Sequence, residues 1–179
     1  MALVRSAILI VAMLAAGETA LAPRVRSSHP YIRAMIAEAQ VRSPTFRALV
    51  GAIEATNGIV YVEEGDCHHQ VRACLPPIVT STRDFRFLRV IVDARQEDWQ
   101  VMSDIGHELQ HALDVLSDPL ARTDSSLFFL ALQGTFSVGD IHETRTAVKA
   151  GESVKEEVKA FAKSRATKGL VRSAATVAP

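Results

Sequence analysis

The sequence predicts a mostly helical α+β domain, with a small sheet beside a helix that carries a His-Glu-x-x-His motif. Three observations support this class. Apolar residues recur at helical spacing in several segments, two short runs are rich in β-branched and aromatic residues, and the motif lies in a helical apolar stripe. The chain has 179 residues, 48% of them hydrophobic, which suits one domain with a sizeable core. The formal net charge of zero argues against electrostatic binding to nucleic acid.

The N-terminal region is typical of an export signal. Arg5 precedes an unbroken apolar run, Ala7 to Ala16, which is too short for a membrane span of about 20 residues. Cleavage is expected after Ala22, with cleavage before Glu18 as the alternative, and an N-terminal core helix is the competing interpretation. We therefore expect a signal peptide over 1–22, a domain over 23–167 and a flexible tail over 168–179. The processed chain would be periplasmic or secreted, with no stable membrane span.

Two packing helices are predicted at the start of the domain. Pro30 and Pro44 each stand where a first helical turn tolerates proline, and Ser43 precedes the second helix as its N-cap. Each helix then has an apolar stripe: Ile32, Met35, Ile36 and Ala39 in the first, and Phe46, Leu49, Val50 and Ile53 in the second.

Two strands follow, over residues 59–62 and 85–92, and the second is the strongest strand pattern in the chain. Its residues Arg86 and Arg89 favour an edge strand with part of one face in water. An extended ligand could then pair with that edge. A plain core strand without a ligand role is the alternative.

The only two cysteines, Cys67 and Cys74, lie between these strands. In an exported chain they predict a disulfide that closes a small loop. A second metal site formed with His68 and His69 is the first alternative, and a free pair of thiols is the other.

The motif occupies residues 107–111, in a helix expected to begin at Glu97 or Asp98 and to end before Pro119. Residues four apart share a helix face, so His107 and His111 can bind one metal ion. Glu108 can then act as the general base on a metal-bound water molecule. The competing interpretation is a pair of partly exposed histidines beside an ordinary glutamate.

A catalytic zinc needs a third protein ligand. The expected ligand is Glu143, on a helix over residues 141–150 that Gly151 breaks before a charged amphipathic helix over 152–163. Glu143 also fits a capping box with Asp140, which would turn it away from a metal. Three residues remain as alternative ligands: His142, Asp114 and Asp118. His142 has a second expected role, stabilisation of the oxyanion, for which Tyr61, His68, His69 and Arg145 are weaker candidates.

His107-Glu108-x-x-His111 followed by Glu143 resembles the gluzincin group of zinc metallopeptidases. More loosely, the layout resembles small uncharacterised exported bacterial zincin-like proteins. The resemblance implies a zincin-like domain in which His107, His111 and Glu143 bind Zn²⁺ and Glu108 is the base. It also implies an edge strand above the motif helix that pairs with an extended substrate.

Two departures from related patterns stand out. Thermolysin-like enzymes carry Asp four residues after the ligand Glu, whereas this chain has Ala147, so Asp114 is expected to support a histidine instead. The metzincin pattern is disfavoured because Asp114 and Ser117 stand where it requires Gly and His.

The sequence thus predicts an exported zinc hydrolase, most simply a metallopeptidase acting on a peptide or protein substrate. A non-catalytic zincin-like module that binds zinc or a partner is the alternative, and a metal-free exported helical domain is the third. The oligomeric state is not defined by the sequence.

Overall fold

The computed structural model describes residues 22–67, 71–127 and 144–175, with side chains described through residue 167. Four helices whose bounds lie within these ranges pack on a small mixed sheet: α1 Pro30–Arg42, α2 Pro44–Glu54, α3 Asp98–Ser117 and α4 Arg145–Ala175. The motif helix α3 packs against α4 and against the sheet. This arrangement confirms the predicted α+β class with a small sheet beside the motif helix.

The sheet has five short strands: β1 Val25–Arg26, β2 Gly58–Glu64, β3 Ala73–Cys74, β4 Thr80–Ser81 and β5 Arg86–Val92. Its order is β1-β2-β5-β3, and β4 also pairs with β5. The first three strands of this order run parallel, whereas β3 and β4 run antiparallel to β5. Alternate residues of β2 and β5 are buried, so the helices cover one face of the sheet.

The expectation that β5 is an edge strand is wrong. Strand β2 pairs with β5 along its whole length, and β3 and β4 pair with its other side. Arg89 is exposed, as expected, but Arg86 lies on the buried face and is only 4% exposed. Its guanidinium is buried because it donates to backbone carbonyls at the end of α3, including Leu116 O at 2.6 Å and Asp118 O at 2.6 Å. Arg86 therefore does not mark a strand facing water.

The two N-terminal helices form as predicted. All eight apolar stripe residues of α1 and α2 are buried. Ser43 caps α2, because its side chain accepts a hydrogen bond from Phe46 N at 2.9 Å. The predicted N-cap and both packing faces are therefore confirmed.

Helix α4 runs through Gly151 without a break, which contradicts the predicted interruption. Gly151 is buried, and a Cβ atom placed on it would lie 3.2 Å from His107 Cβ. The glycine therefore lets α4 approach the motif helix closely while remaining helical. The helix extends to Ala175, past the expected start of the tail at residue 168.

The predicted disulfide between Cys67 and Cys74 is present, and it ties the segment after β2 to β3. It is consistent with folding in an oxidising compartment.

No helix in the described ranges is long and apolar enough to cross a membrane. The predicted signal peptide lies outside these ranges apart from Ala22.

Candidate metal centre

The motif helix brings the two predicted zinc-binding imidazoles together. His107 Nε2 lies 3.1 Å from His111 Nε2, and the ring centroids are 4.9 Å apart. Helical spacing produces this pairing, because residues four apart lie one above the other on the same face. The helix is held rigidly there by a buried stripe that includes Ile105, Leu109 and Ala112.

The spacing of the two nitrogens fits two ligands of one metal ion. Zinc binds imidazole nitrogens at about 2.0–2.1 Å, so two ligands at a tetrahedral angle stand about 3.3 Å apart. The 3.1 Å between the Nε2 atoms is close to that value. In the absence of a metal, the same distance suits a hydrogen bond from one ring to the other. The donor set therefore fits zinc but does not by itself require it.

His111 is in the protonation state that a metal requires. Its side chain is almost fully buried, and burial, assisted by the neighbouring His107, lowers the pKa of His111 to about 4. The ring is therefore neutral near pH 7, the form that ligates metals. Its Nδ1 is also buried, and no hydrogen-bond partner for it lies in the described ranges. A histidine that binds a metal normally donates a hydrogen bond from its second ring nitrogen, so an acceptor is expected next to Nδ1 of His111.

Asp114 does not supply that support within the described chain. Its carboxylate accepts a hydrogen bond from Gln110 Nε2 at 2.8 Å, and it also bonds to Thr146 of α4. Burial raises the pKa of Asp114, and these two bonds partly offset that effect. Its observed role is to join α3 to the start of α4.

Glu108 lies beside the pair of histidines. Its side chain is buried, and its Oε1 is 4.0 Å from His107 Nε2. A carboxylate at this distance is outside hydrogen-bond range of the ring, yet one water molecule can bridge the two groups. The position suits a base that acts on a water molecule held at the histidines.

The third ligand is not identified in the described chain, since no group of three His, Cys, Asp or Glu side chains there could hold a metal ion. The predicted ligand Glu143 and its alternative His142 lie outside the described residues. Asp118 accepts a hydrogen bond from Leu120 N at 2.8 Å and terminates α3.

The weaker candidates for oxyanion stabilisation are not placed at the histidines. Tyr61 Oη accepts a hydrogen bond from Arg26 Nη2 at 2.8 Å on the sheet, and Arg145 begins α4 as an exposed residue. His68 and His69 lie outside the described ranges.

A cleft that the sequence does not predict adjoins His107. It has a volume of about 350 Å³ and lies between α3, α4 and the segment entering β3. Its charged and aromatic lining residues are Arg72, Trp99, Asp104, His107, Glu152 and Lys155. Helical spacing could have indicated Asp104, which precedes His107 by three residues on the same face. Arg72 comes from a distant segment, and no sequence pattern connects it to the motif.

The walls of this cleft are fixed by close packing of α3 on α4. Ser103 Oγ donates to Gly151 O at 2.9 Å. Gly106 packs against Val154, where an added Cβ would lie 2.8 Å from Val154 Cγ2. On the other side, the Cβ–Nδ1 edge of His107 faces Gly151 while its Nε2 faces His111. The helix contact therefore sets the orientation of the His107 ring.

Comparisons with protein-family models, with curated proteins and with solved structures found no match. The likeness to gluzincins consequently depends on the motif residues alone.

Proposed function

We propose that this protein is an exported zinc-dependent hydrolase and, specifically, a metallopeptidase. The observation that carries the proposal is the convergence of His107 Nε2 and His111 Nε2 to 3.1 Å, with the buried carboxylate of Glu108 beside them. Neutral imidazoles provide the nitrogen ligands, and Glu143 is the proposed third ligand. Zinc bound there would lower the pKa of a water molecule and polarise a substrate carbonyl.

The residues of the chain then have distinct tasks. Glu108 accepts a proton from the attacking water, which its burial beside His107 allows it to do without competing bulk solvent. It subsequently returns the proton to the departing amine. His142 is proposed to donate a hydrogen bond to the oxyanion that forms on the carbonyl.

The choice of a peptide or protein as substrate follows from analogy with zincins. Export is supported by two features: the apolar segment that follows Arg5, and the disulfide between Cys67 and Cys74. A periplasmic or secreted protein would meet peptide substrates in the same compartment.

Substitution of Glu108 by Gln tests the mechanism. Glu108→Gln keeps the shape of the side chain and leaves both histidines in place, so bound zinc should be retained. Loss of the base should lower the rate of peptide hydrolysis by at least 10²-fold, the lower end of what general-base catalysis contributes. Zinc content and hydrolysis of a mixed peptide library would be measured on both proteins. Equal turnover in variant and wild type would contradict the proposed role of Glu108.

Substitution of Glu143 tests the third ligand. Glu143→Ala should lose most of its zinc, because two imidazoles alone hold the ion weakly. Asp114→Asn is the matched control, since Asp114 is engaged by Gln110 and should leave the zinc in place. Retention of zinc by Glu143→Ala, together with loss in His142→Ala or Asp114→Asn, would move the ligand role to that residue.

A non-catalytic zinc-binding or partner-binding module is the second candidate. Two observations in the described chain favour it: His111 Nδ1 has no partner there, and Ala147 is fully buried where thermolysin-like enzymes have Asp. A hydroxamate distinguishes the two functions, because it binds a zinc ion with an open position and ignores a closed one. Zinc-dependent hydroxamate binding is expected for the enzyme, and zinc without such binding indicates the module.

A further inference from the structure

The cleft beside His107 has donors arranged for an anion. Two cationic residues line it, Arg72 from the segment entering β3 and Lys155 from α4. Two acidic residues, Asp104 and Glu152, line it as well. The formal charges of the lining residues therefore balance. Whether the cleft favours an anion or a cation depends on which of these charged groups already contact other residues.

Asp104 is engaged and largely buried. Its side chain is 15% exposed, and its Oδ2 lies 3.5 Å from Arg72 Nε and 3.2 Å from Gln96 Nε2. Both contacts are made to Oδ2, so the charge of Asp104 is already paired with Arg72 and its Oδ2 accepts a hydrogen bond from Gln96. Its role is to orient the guanidinium of Arg72.

Arg72 keeps most of its donors available. Only its Nε faces Asp104, its side chain is 58% exposed, and its two Nη groups make no hydrogen bond within the described chain. A guanidinium that is paired through Nε can still present its two Nη groups as a fork that matches a carboxylate.

Lys155 adds a second positive charge on the opposite wall. Its Nζ lies 5.7 Å from the centroid of the Trp99 ring, which also lines the cleft. Glu152, the remaining acid, and Lys155 are both exposed and lie one helical turn apart, so water screens both charges. The engaged acid and the available cations together favour an anionic ligand.

We propose that this cleft binds a carboxylate group of the substrate, either the C-terminal carboxylate of a peptide or the side chain of an Asp or Glu residue. Arg72 binds the carboxylate through its fork, Lys155 adds a point charge, and the Trp99 ring forms part of the wall. The assignment of this ligand as a substrate rests on the proposed function, whereas binding of the carboxylate can be measured without it.

Trp99 provides a direct readout, because it is the only tryptophan in the chain and it lines this cleft. Its fluorescence would be titrated with four probes: acetyl-Gly-Gly with a free carboxylate, its C-terminal amide, acetyl-Glu-amide and acetyl-Gln-amide. Each titration would be made on the chain as purified and again with a chelator present, so that a carboxylate bound to a metal is recognised.

Saturable binding of a carboxylate probe, at least about tenfold tighter than its amide partner and retained with the chelator, is the expected result. Tighter binding of acetyl-Gly-Gly identifies a C-terminal carboxylate as the ligand. Tighter binding of acetyl-Glu-amide identifies an acidic side chain. Equal binding of acid and amide probes, or no saturable response to any of them, would overturn the proposal.

Three variants complete the test. Arg72→Gln and Lys155→Gln should each weaken binding of the carboxylate probe, by about tenfold for the forked arginine and less for the lysine. Arg89→Gln is the matched control, because Arg89 is similarly exposed at 55% but pairs with Glu63 outside the cleft. Because Lys155 is exposed, Lys155→Gln should leave the fold intact, and it provides the test if Arg72→Gln disturbs the fold. Unchanged binding in both cleft variants would refute the proposal.

Failure of this proposal is distinct from failure of the proposed function. A chain that binds zinc and hydrolyses peptides without a preference for carboxylates refutes the subsite alone. A chain that binds the carboxylate probe but no zinc refutes the hydrolase and leaves a carboxylate-binding cleft.

Discussion

At the scale of single residues, Arg86 determines how the motif helix ends. The last carbonyls of a helix lack partners within the helix and carry partial negative charge. Arg86 Nη1 and Nη2 donate to the carbonyls of Val115 and Leu116 in the last turn of α3, and to those of Asp118 and Ala121 just after it. Burial lowers the pKa of Arg86, although an arginine retains its charge near pH 7. The residue therefore joins the end of α3 to the middle of the sheet.

Replacement of Arg86 should be strongly destabilising. Arg86→Met keeps the apolar stem but leaves several buried carbonyls without donors, which should lower the free energy of unfolding by about 3 kcal/mol or more. Urea unfolding would measure the change. Arg89→Met is the control, because it removes an exposed arginine from the same strand and should cost less than about 1 kcal/mol. Equal midpoints for the two variants would contradict this account of Arg86.

Glu157 makes the stability of the fold dependent on pH. Its carboxylate accepts hydrogen bonds from Ser43 Oγ, Thr45 N and Thr45 Oγ1 at the start of α2. Burial pushes the pKa of Glu157 upward, but these bonds and the charge of Arg47 outweigh it, so the pKa lies below the ordinary value. Because the folded-state pKa is the lower one, the stabilisation is present above the unfolded pKa of about 4.3. It is lost as the pH falls through the folded pKa.

Glu157→Gln should lower the free energy of unfolding at pH 7 by about 1–3 kcal/mol, since the bonds are made to a charged acceptor. The difference from wild type should shrink as the pH falls below about 4. Urea unfolding at pH values from 7 to 3 would measure it. Glu156→Gln, on the exposed side of the same helix, should show a small effect at every pH. A Glu157→Gln difference that stays constant down to pH 3 would contradict the account.

Ser43 and Arg86 mark the limits of prediction from sequence at this scale. The capping role of Ser43 was predicted because it depends on residues within one turn, Pro44 and Phe46. The role of Arg86 depends on the end of a helix about 30 residues later in the chain. In the alternating pattern of a strand, an arginine counts as a polar residue and is expected to face water. Only the tertiary structure brings near it the carbonyl groups that allow its guanidinium to be buried.

At the scale of elements, the contact of α3 with α4 decides the shape of the candidate site. Gly106 and Gly151 stand at that contact, and each allows a neighbouring side chain to occupy the space a Cβ would fill. The sequence pattern indicated a helix break at Gly151 because glycine disfavours helices. The structure shows that close packing against His107 outweighs this preference.

A pair of glycine substitutions tests the packing role. Gly51→Ala in α2 has open space around the added Cβ and should raise the free energy of unfolding by about 0.5–1 kcal/mol. Gly151→Ala should raise the free energy of unfolding by less than this, or lower it. The reason is that the added Cβ would lie 3.2 Å from His107 Cβ and 3.5 Å from His107 Nδ1. It should also weaken zinc binding by displacing the His107 ring. Urea unfolding and competition with a zinc chelator would measure both effects, and equal gains without loss of zinc affinity would contradict the packing role.

The short strands show a further limit at this scale. Strands β2 and β5 were predicted because each has seven residues with a clear pattern. Strands β1, β3 and β4 have two residues each, too few to produce any periodicity. Without β3 and β4, the sequence pattern predicts an edge position for β5. Their pairing is a tertiary property that makes β5 an interior strand.

At the scale of the whole molecule, the disulfide and the sheet together hold the cleft in shape. Cys67 follows β2, Cys74 lies in β3, and Arg72 reaches Asp104 from the segment that the disulfide closes. The α+β class, the motif helix and this disulfide were all predicted, because each has a local signature. The cleft was not, since Arg72, Trp99 and Lys155 come from three distant segments that only the folded chain brings together.

Removal of the disulfide should destabilise the protein and weaken the cleft. The cysteines are seven residues apart, and loop-closure entropy for a loop of that length corresponds to about 2.5 kcal/mol. The double substitution Cys67→Ser and Cys74→Ser should lower the free energy of unfolding by about that amount and should weaken binding of the carboxylate probe. Reduced wild-type protein should behave in the same way. Unchanged stability and unchanged binding would show that the sheet alone orders this segment.

The central claim is that His107 and His111 bind a metal ion, and the zinc content of the purified chain tests it most directly. Elemental analysis would compare wild type with Glu108→Gln and His111→Leu, with circular dichroism to verify that each is folded. We expect one zinc per chain in wild type and in Glu108→Gln, and almost none in His111→Leu. Absence of zinc from folded wild-type protein, even after zinc is supplied, would contradict the claim and leave the 3.1 Å contact as a hydrogen bond between two histidines.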